Sequence, residues 1–287
     1  MYAIMGVTGQ IGGIIAKTLL AARQPVRAVV RDAGKAQAWV DRGCDLALAN
    51  IEDPRALTAA FREAEGVFVL VPPNFDPSTD FSEARAIGVG LRAALDAARP
   101  ARIVYLSTIG AQAIQSNLLT QHTIIEQALA ELPLPITFLR PAWFMENCSW
   151  DVAPARNQGV IPSFLQPLDK PVPMVATADI GNVAAGLLQE EWSGRRIVEL
   201  EGPRRVTPND IALGFTKLLG HPVRMEAVPR QSWEQLFQSQ GMKNPLPRIR
   251  MLDGFNEGWI DFEFGESGSQ KGNVGLETVL KGLIEQD

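Results

Sequence analysis

A chain of 287 residues, 46% of them apolar, has enough material for one large domain or two small ones with a substantial core. A net charge of −5 with scattered basic residues excludes the polyanion-binding stripe of a nucleic-acid binder, and no apolar run is long enough to cross a bilayer. Two cysteines, Cys44 and Cys148, without metal-like spacing argue against disulfide and zinc chemistry; with no signal peptide ahead of the first strand, the expected location is the cytoplasm.

The first half alternates short apolar runs with helix-patterned segments, which predicts an α/β fold: a doubly wound parallel sheet of Rossmann type covered on both faces. Tyr2-Ala-Ile-Met5 reads as the first strand, and Ile14-Ile-Ala16 with Leu19-Leu20 as the helix behind it. Pro25 to Val30 is the second strand, 34–42 a helix, and Asp45 to Asn50 the third strand. Asp53-Pro54 opens a helix through Glu63, with proline suited to its first turn. Gly66 to Val71 is a fourth strand, continuously apolar and so buried on both faces, and Pro72-Pro73 stops it. The stretch 74–82 is rich in turn formers and is expected to be flexible.

A long helix near 81–98 leads into the fifth strand, 102–106, with Ser107 and Thr108 at its carboxyl end, where open α/β sheets place their chemistry. A helix over about 120–132 and a sixth strand, 135–140, follow. Beyond Pro141 the pattern loosens and prolines gather between Pro154 and Pro173. The expected division is a dinucleotide-binding domain over 1–147, with a returning strand near 197–201, and a substrate lobe drawn mainly from 148–287.

Between the first strand and its helix lies Met5-Gly-Val-Thr-Gly-Gln-Ile-Gly12. Gly6 suits a turn that side chains would block, Gly9 a close approach of phosphate, and Gly12 tight packing of the helix. Thr8, Gln10 and Ile11 fill the same turn, and Val71 and Pro72 are expected to form a wall beside the cofactor. An NAD-preferring site usually carries an acid at the end of the second strand. Here Arg31 stands nineteen residues beyond Gly12, with Lys35 one helical turn later. Two cations favour the 2′-phosphate of NADP(H), although Asp32, one residue out of register, leaves NAD(H) open.

Several motifs in order resemble the NmrA-like branch of the atypical short-chain dehydrogenase/reductases. They are the glycine loop Gly6–Gly12, Val26-Arg-Ala-Val-Val-Arg31, Leu139-Arg-Pro-Ala-Trp-Phe-Met-Glu-Asn147 and Gly258-Trp-Ile-Asp-Phe262. The resemblance implies the fold and the cofactor. Asn50, where the family commonly has Asp, would then hydrogen-bond adenine. It fixes the reaction less well, because the family holds quinone, triphenylmethane-dye and azo reductases beside regulators that bind the dinucleotide without turning it over.

The wider superfamily uses a Tyr four residues before a Lys, and this chain lacks that pair. Its tyrosines, Tyr2 and Tyr105, are followed at the fourth position by Gly6 and Ile109, and no lysine falls between Lys35 and Lys170. His122 and Glu126 stand in its place at i,i+4 spacing on one helix face. The carboxylate would favour a charged imidazolium able to give up a proton; the alternative is a pair that only steadies the helix. Ser107 or Thr108 either hydrogen-bonds the substrate or the nicotinamide ribose, or serves in a cap or loop.

A weakened acid points to quinone-like or extended aromatic acceptors, whose charge delocalises on reduction. Trp143 and Phe144, with Trp150 and Phe164, either stack on such a ligand or form lobe core. Arg140 and Glu146 are expected to pair at the lobe hinge. The expected activity is therefore an NADP(H)-dependent oxidoreductase acting on a small electrophile, with homodimer formation open. The alternative is a non-catalytic NADP(H) sensor working through a protein partner.

Overall fold

The computed structural model describes residues 1–286. The chain begins with β1 (Tyr2–Met5), α1 (Gln10–Ala21), β2 (Val26–Val30), α2 (Gln37–Val40), β3 (Asp45–Leu48), α3 (Pro54–Phe61) and β4 (Gly66–Val69). There follow α4 (Ser82–Ala98), β5 (Arg102–Leu106), α5 (Thr120–Ala130), β6 (Ile136–Pro141) and β7 (Trp143–Phe144). Next come α6 (Val152–Gln158), β8 (Val160–Ser163), β9 (Met174–Val175), α7 (Thr177–Gln189), β10 (Arg195–Glu201) and α8 (Pro208–Leu219). The last elements are β11 (Arg224–Ala227), α9 (Trp233–Ser239), α10 (Leu246–Glu257), α11 (Gly265–Gly268), β12 (Gln270–Lys271) and α12 (Leu276–Gln286).

Eight strands pair in the order β12-β10-β6-β5-β4-β1-β2-β3, and every pairing is parallel. This is a Rossmann-type sheet. The chain runs outward from β1 to β3, then crosses back to start β4 on the other side of β1. A topological switch point thus lies between the carboxyl ends of β1 and β4. Side-chain alternation divides the core into two layers. Ile4, Phe68, Val104 and Leu139 belong to the layer shared with α1 and α7; Ala3, Val67, Ile103, Tyr105 and Phe138 face α3, α4 and α5.

Local chemistry sets the element ends. Asp53 caps α3 by accepting from the Arg55 and Ala56 amides, with Pro54 in the first turn. Thr207 and Asp210 close a capping box on α8. The helix expected over 34–42 is instead a 3₁₀ turn, Ala33–Lys35, and the four-residue α2, because Asp32 caps the turn through the Gly34 amide. The expected strands end early at Leu48 and Val69, so that Asn50, Val71 and Pro72 lie in loops. The 74–82 stretch, expected to be flexible, is tied by Ser78 to Asp80 and Glu83, while Asp76 accepts from the Lys243 and Asn244 amides.

The second half returns α7, β10 and β12 to the sheet and builds the rest as a lobe. Two short parallel pairs, β8 with β11 and β7 with β9, frame the lobe. Phe164 packs on Trp233 and Phe237 in its interior. Among the described residues no helix is long and apolar enough to cross a membrane.

Candidate active site

The turn after β1 leads straight into α1 and leaves the head of that helix uncapped. Gly6 takes φ +70°, a conformation that costs glycine nothing, and its carbonyl accepts the Gly9 amide at 2.9 Å. A Cβ on Gly12 would sit 2.3 Å from the Gly6 oxygen, so α1 seats against the turn only with glycine there. Gly9 heads α1 with no side-chain cap and no acid in the first turn; Thr8, Gly9 and Gln10 are exposed while Ile11 is buried. The unpaired first-turn amides and the helix dipole therefore remain for a phosphate. The Gln10 side-chain amide lies 3.1 Å from Thr177 Oγ1 at the start of α7.

Arg31 and Lys35 are exposed around the turn after β2, and the Asp32 carboxylate is occupied by the Gly34 amide at 2.9 Å. That bond uses one carboxylate oxygen and leaves the other open, so the turn presents Asp32 to solvent beside the two cations. Asn50 is exposed beyond β3, and Val71 and Pro72 follow β4 at the switch point. These features fit a dinucleotide along the carboxyl edge of the sheet.

Beside Val71 and Pro72 opens a cleft of about 550 Å³, walled mainly by apolar side chains that include Trp143, Phe144, Ile161 and Phe255. Trp143 sets its ring edge-on to Phe255. Trp150 also lines the cleft although it is largely exposed. His122 lines it too.

The expected His122–Glu126 pair does not form. Glu126 is buried one turn along α5 and receives Arg140 Nε at 2.9 Å, Arg140 Nη2 at 2.6 Å and the Ser107 hydroxyl. Arg140 Nη1 reaches Glu263 at 2.6 Å. Ser107 and Glu126 are thus tied to a buried arginine, and neither lines the cleft. The same network overturns the expected Arg140–Glu146 pair: Glu146 instead accepts from the Thr177 amide and hydroxyl.

His122 has a different partner, the hydroxyl of fully buried Tyr105, 2.8 Å from Nδ1. Burial, with Glu126 nearby, drives the Tyr105 pKa well up, so the phenol keeps its proton. Nδ1 is its one hydrogen-bond partner among the described residues, so the phenol donates there and Nε2 carries the imidazole hydrogen. Desolvation lowers the His122 pKa to about 4, which leaves the ring neutral at neutral pH rather than the expected imidazolium.

Two cleft residues escaped the sequence reading. Asp151 lies just past the Trp143–Asn147 motif; burial lifts its carboxyl to about 7, offset only in part by a hydrogen bond from Cys148. Arg248, on α10, also lines the cleft, and burial lowers its pKa. An acid directly after Trp150, within a run of aromatic residues, was a readable signal for the first. The second stands in a segment with no motif.

The NmrA-like family model matches residues 2–266. The chain belongs to the NmrA-like family. It is 29% identical over 263 residues to an NAD(P)H azoreductase of Xenophilus azovorans, covering 90% of this chain and 85% of that protein. It is 26% identical over 251 residues to quinone oxidoreductase 2 of Escherichia coli strain K12, covering 86% and 84%. The solved Citrobacter sp. triphenylmethane reductase, complexed with NADP(H), superposes with a TM-score of 0.78 at 20% identity over 99% of both chains, a likeness of fold.

Proposed function

We propose that this NmrA-like chain is an NADP(H)-dependent reductase that transfers hydride to a quinone-like or extended aromatic acceptor, with NADH a weaker donor. The observation that carries the reading is the apolar cleft of about 550 Å³ beside Val71 and Pro72, which follow the strand paired with β1, a cleft large enough for a flat ligand. The relatives named as an azoreductase and a quinone oxidoreductase support it.

In this reading the Gly9–Gly12 turn holds the pyrophosphate, Arg31 and Lys35 hold the 2′-phosphate, and Asn50 meets adenine. When bound, the nicotinamide supplies the hydride. The chain's own task at the acceptor is orientation and the proton, since a quinone becomes a hydroquinone by taking one hydride and one proton. Trp143 and Phe144 hold the flat ligand and exclude water. His122, fixed by Tyr105, presents Nε2–H to the oxygen or nitrogen being reduced. Asp151, titrating near neutrality in the same cleft, releases the proton and regains it from solvent. Glu126 and Ser107 take no part beyond holding Arg140 and α5 in place.

The test is NADPH oxidation by the purified protein with neutral quinones, wild type beside His122→Ala. Turnover faster than with NADH, reduced in the variant, is the expected result. Tight NADPH binding without turnover of any acceptor would instead favour the sensor reading.

A further inference from the structure

Several arginines of this protein meet carboxylates: Arg102 meets Glu65, Arg140 meets Glu126, Arg205 meets Asp261 and Arg230 meets Asp253. Arg248 does not. Among the described residues it has no carboxylate within 4.0 Å and makes no hydrogen bond; its guanidinium carbon lies 4.4 Å from the ring centroid of Phe237. It is also the one lysine or arginine in the described lining of the cleft. The acids of that lining, Glu83 and Asp151, are spoken for elsewhere: Glu83 accepts from Ser78, and Asp151 is hydrogen-bonded by Cys148.

A guanidinium keeps its charge at any ordinary pH and carries five donors in a rigid fork. Withdrawing it from water without an anion is costly, and a ring face returns only part of that cost. A free fork in a ligand cleft is completed by an oxyanion on the ligand, which it can grip through two charge-assisted hydrogen bonds. We propose that the acceptor is a flat aromatic or enone body bearing a carboxylate, sulfonate or phosphate group, and that Arg248 binds that group. The same charge disfavours cationic dyes. The substrate role rests on the reductase reading; the anion site itself does not.

The experiment separates the two. Calorimetric titration compares naphthalene-2-sulfonate with its neutral analogue naphthalene-2-sulfonamide on wild type, Arg248→Gln and Arg248→Lys. Wild type is expected to prefer the sulfonate by about tenfold or more, as charged hydrogen bonds of this kind give. That preference falls to near unity in Arg248→Gln, survives in part in Arg248→Lys, and shrinks with added salt on wild type. Equal binding of the two ligands by wild type, or an undiminished sulfonate preference in Arg248→Gln, overturns the proposal. If Arg248→Gln does not fold, the salt dependence on wild type and the lysine variant decide it. NADPH-dependent turnover of uncharged 1,4-naphthoquinone reports the reductase reading separately: its absence with the sulfonate preference intact defeats the reductase and leaves the anion site standing.

Discussion

Arg140, in β6, and Arg248, in α10, are both drawn out of water, yet the first receives carboxylates from Glu126 and Glu263 while the second receives none. Their pKa values move apart accordingly. The two acids raise that of Arg140 against the opposing effect of burial, and burial alone lowers that of Arg248. A paired charge in the interior belongs to the scaffold, where it fixes α5 against β6. An unpaired one in a cleft wall is held for something the chain does not supply.

The sharpest way to break this contrast is Arg140→Met. It leaves Glu126 buried without its cation, and unfolding in urea should show a loss of about 3–5 kcal/mol. A loss below about 1 kcal/mol would mean that the network is not scaffold.

Asp151 extends the contrast to an acid. A donor must be protonated, so kcat/KM should be flat below neutrality and fall as pH rises through about 7. Asp151→Asn should lower kcat/KM at pH 6 by about 100-fold and remove that limb; an unchanged profile would take Asp151 out of the chemistry. Linkage gives the sign for stability. The folded pKa lies above the unfolded one, so this carboxyl's contribution falls as pH rises from about 4 to about 7, and the variant should lose that dependence. His122 acts in the opposite sense: its folded pKa is lowered to about 4, so its contribution falls as pH drops from about 6.5 to about 4.

Arg31 is the exposed counterpart, open to solvent at the proposed 2′-phosphate site. Arg31→Ala should weaken NADPH by about 10- to 30-fold and NADH by less than about twofold, in line with loss of a charged hydrogen bond. Equal losses measured by titration would remove the 2′-phosphate assignment. The smallest effect belongs to Arg248→Met. With no acid left stranded, stability should change by less than about 1 kcal/mol in the denaturation assay that shows the Arg140 loss. A large loss there would make Arg248 a scaffold residue after all.

The fold was readable because each of its signals is local. Unbroken apolar runs such as Gly66–Val69 mark strands buried on both faces, and Gly6 and Gly12 mark a turn whose geometry admits little else at those two positions. The site's charges were less readable because their partners are distant in sequence. The i,i+4 spacing does put His122 and Glu126 on one side of α5, but one turn separates the cleft wall from the interior. Tyr105 on β5 therefore claims the histidine, and Arg140 on β6 claims the glutamate. Glu146 followed the same logic, turning to Thr177 at the start of α7. Arg248 is conspicuous for a missing partner, and only the folded chain reveals that.

The central claim is most directly tested by anaerobic single turnover, mixing NADPH-loaded protein with 1,4-naphthoquinone and following absorbance at 340 nm. The account predicts one NADPH consumed per hydroquinone formed, faster than in buffer and slowed in Asp151→Asn. NADPH that stays bound and unoxidised across neutral and anionic quinones alike would contradict it.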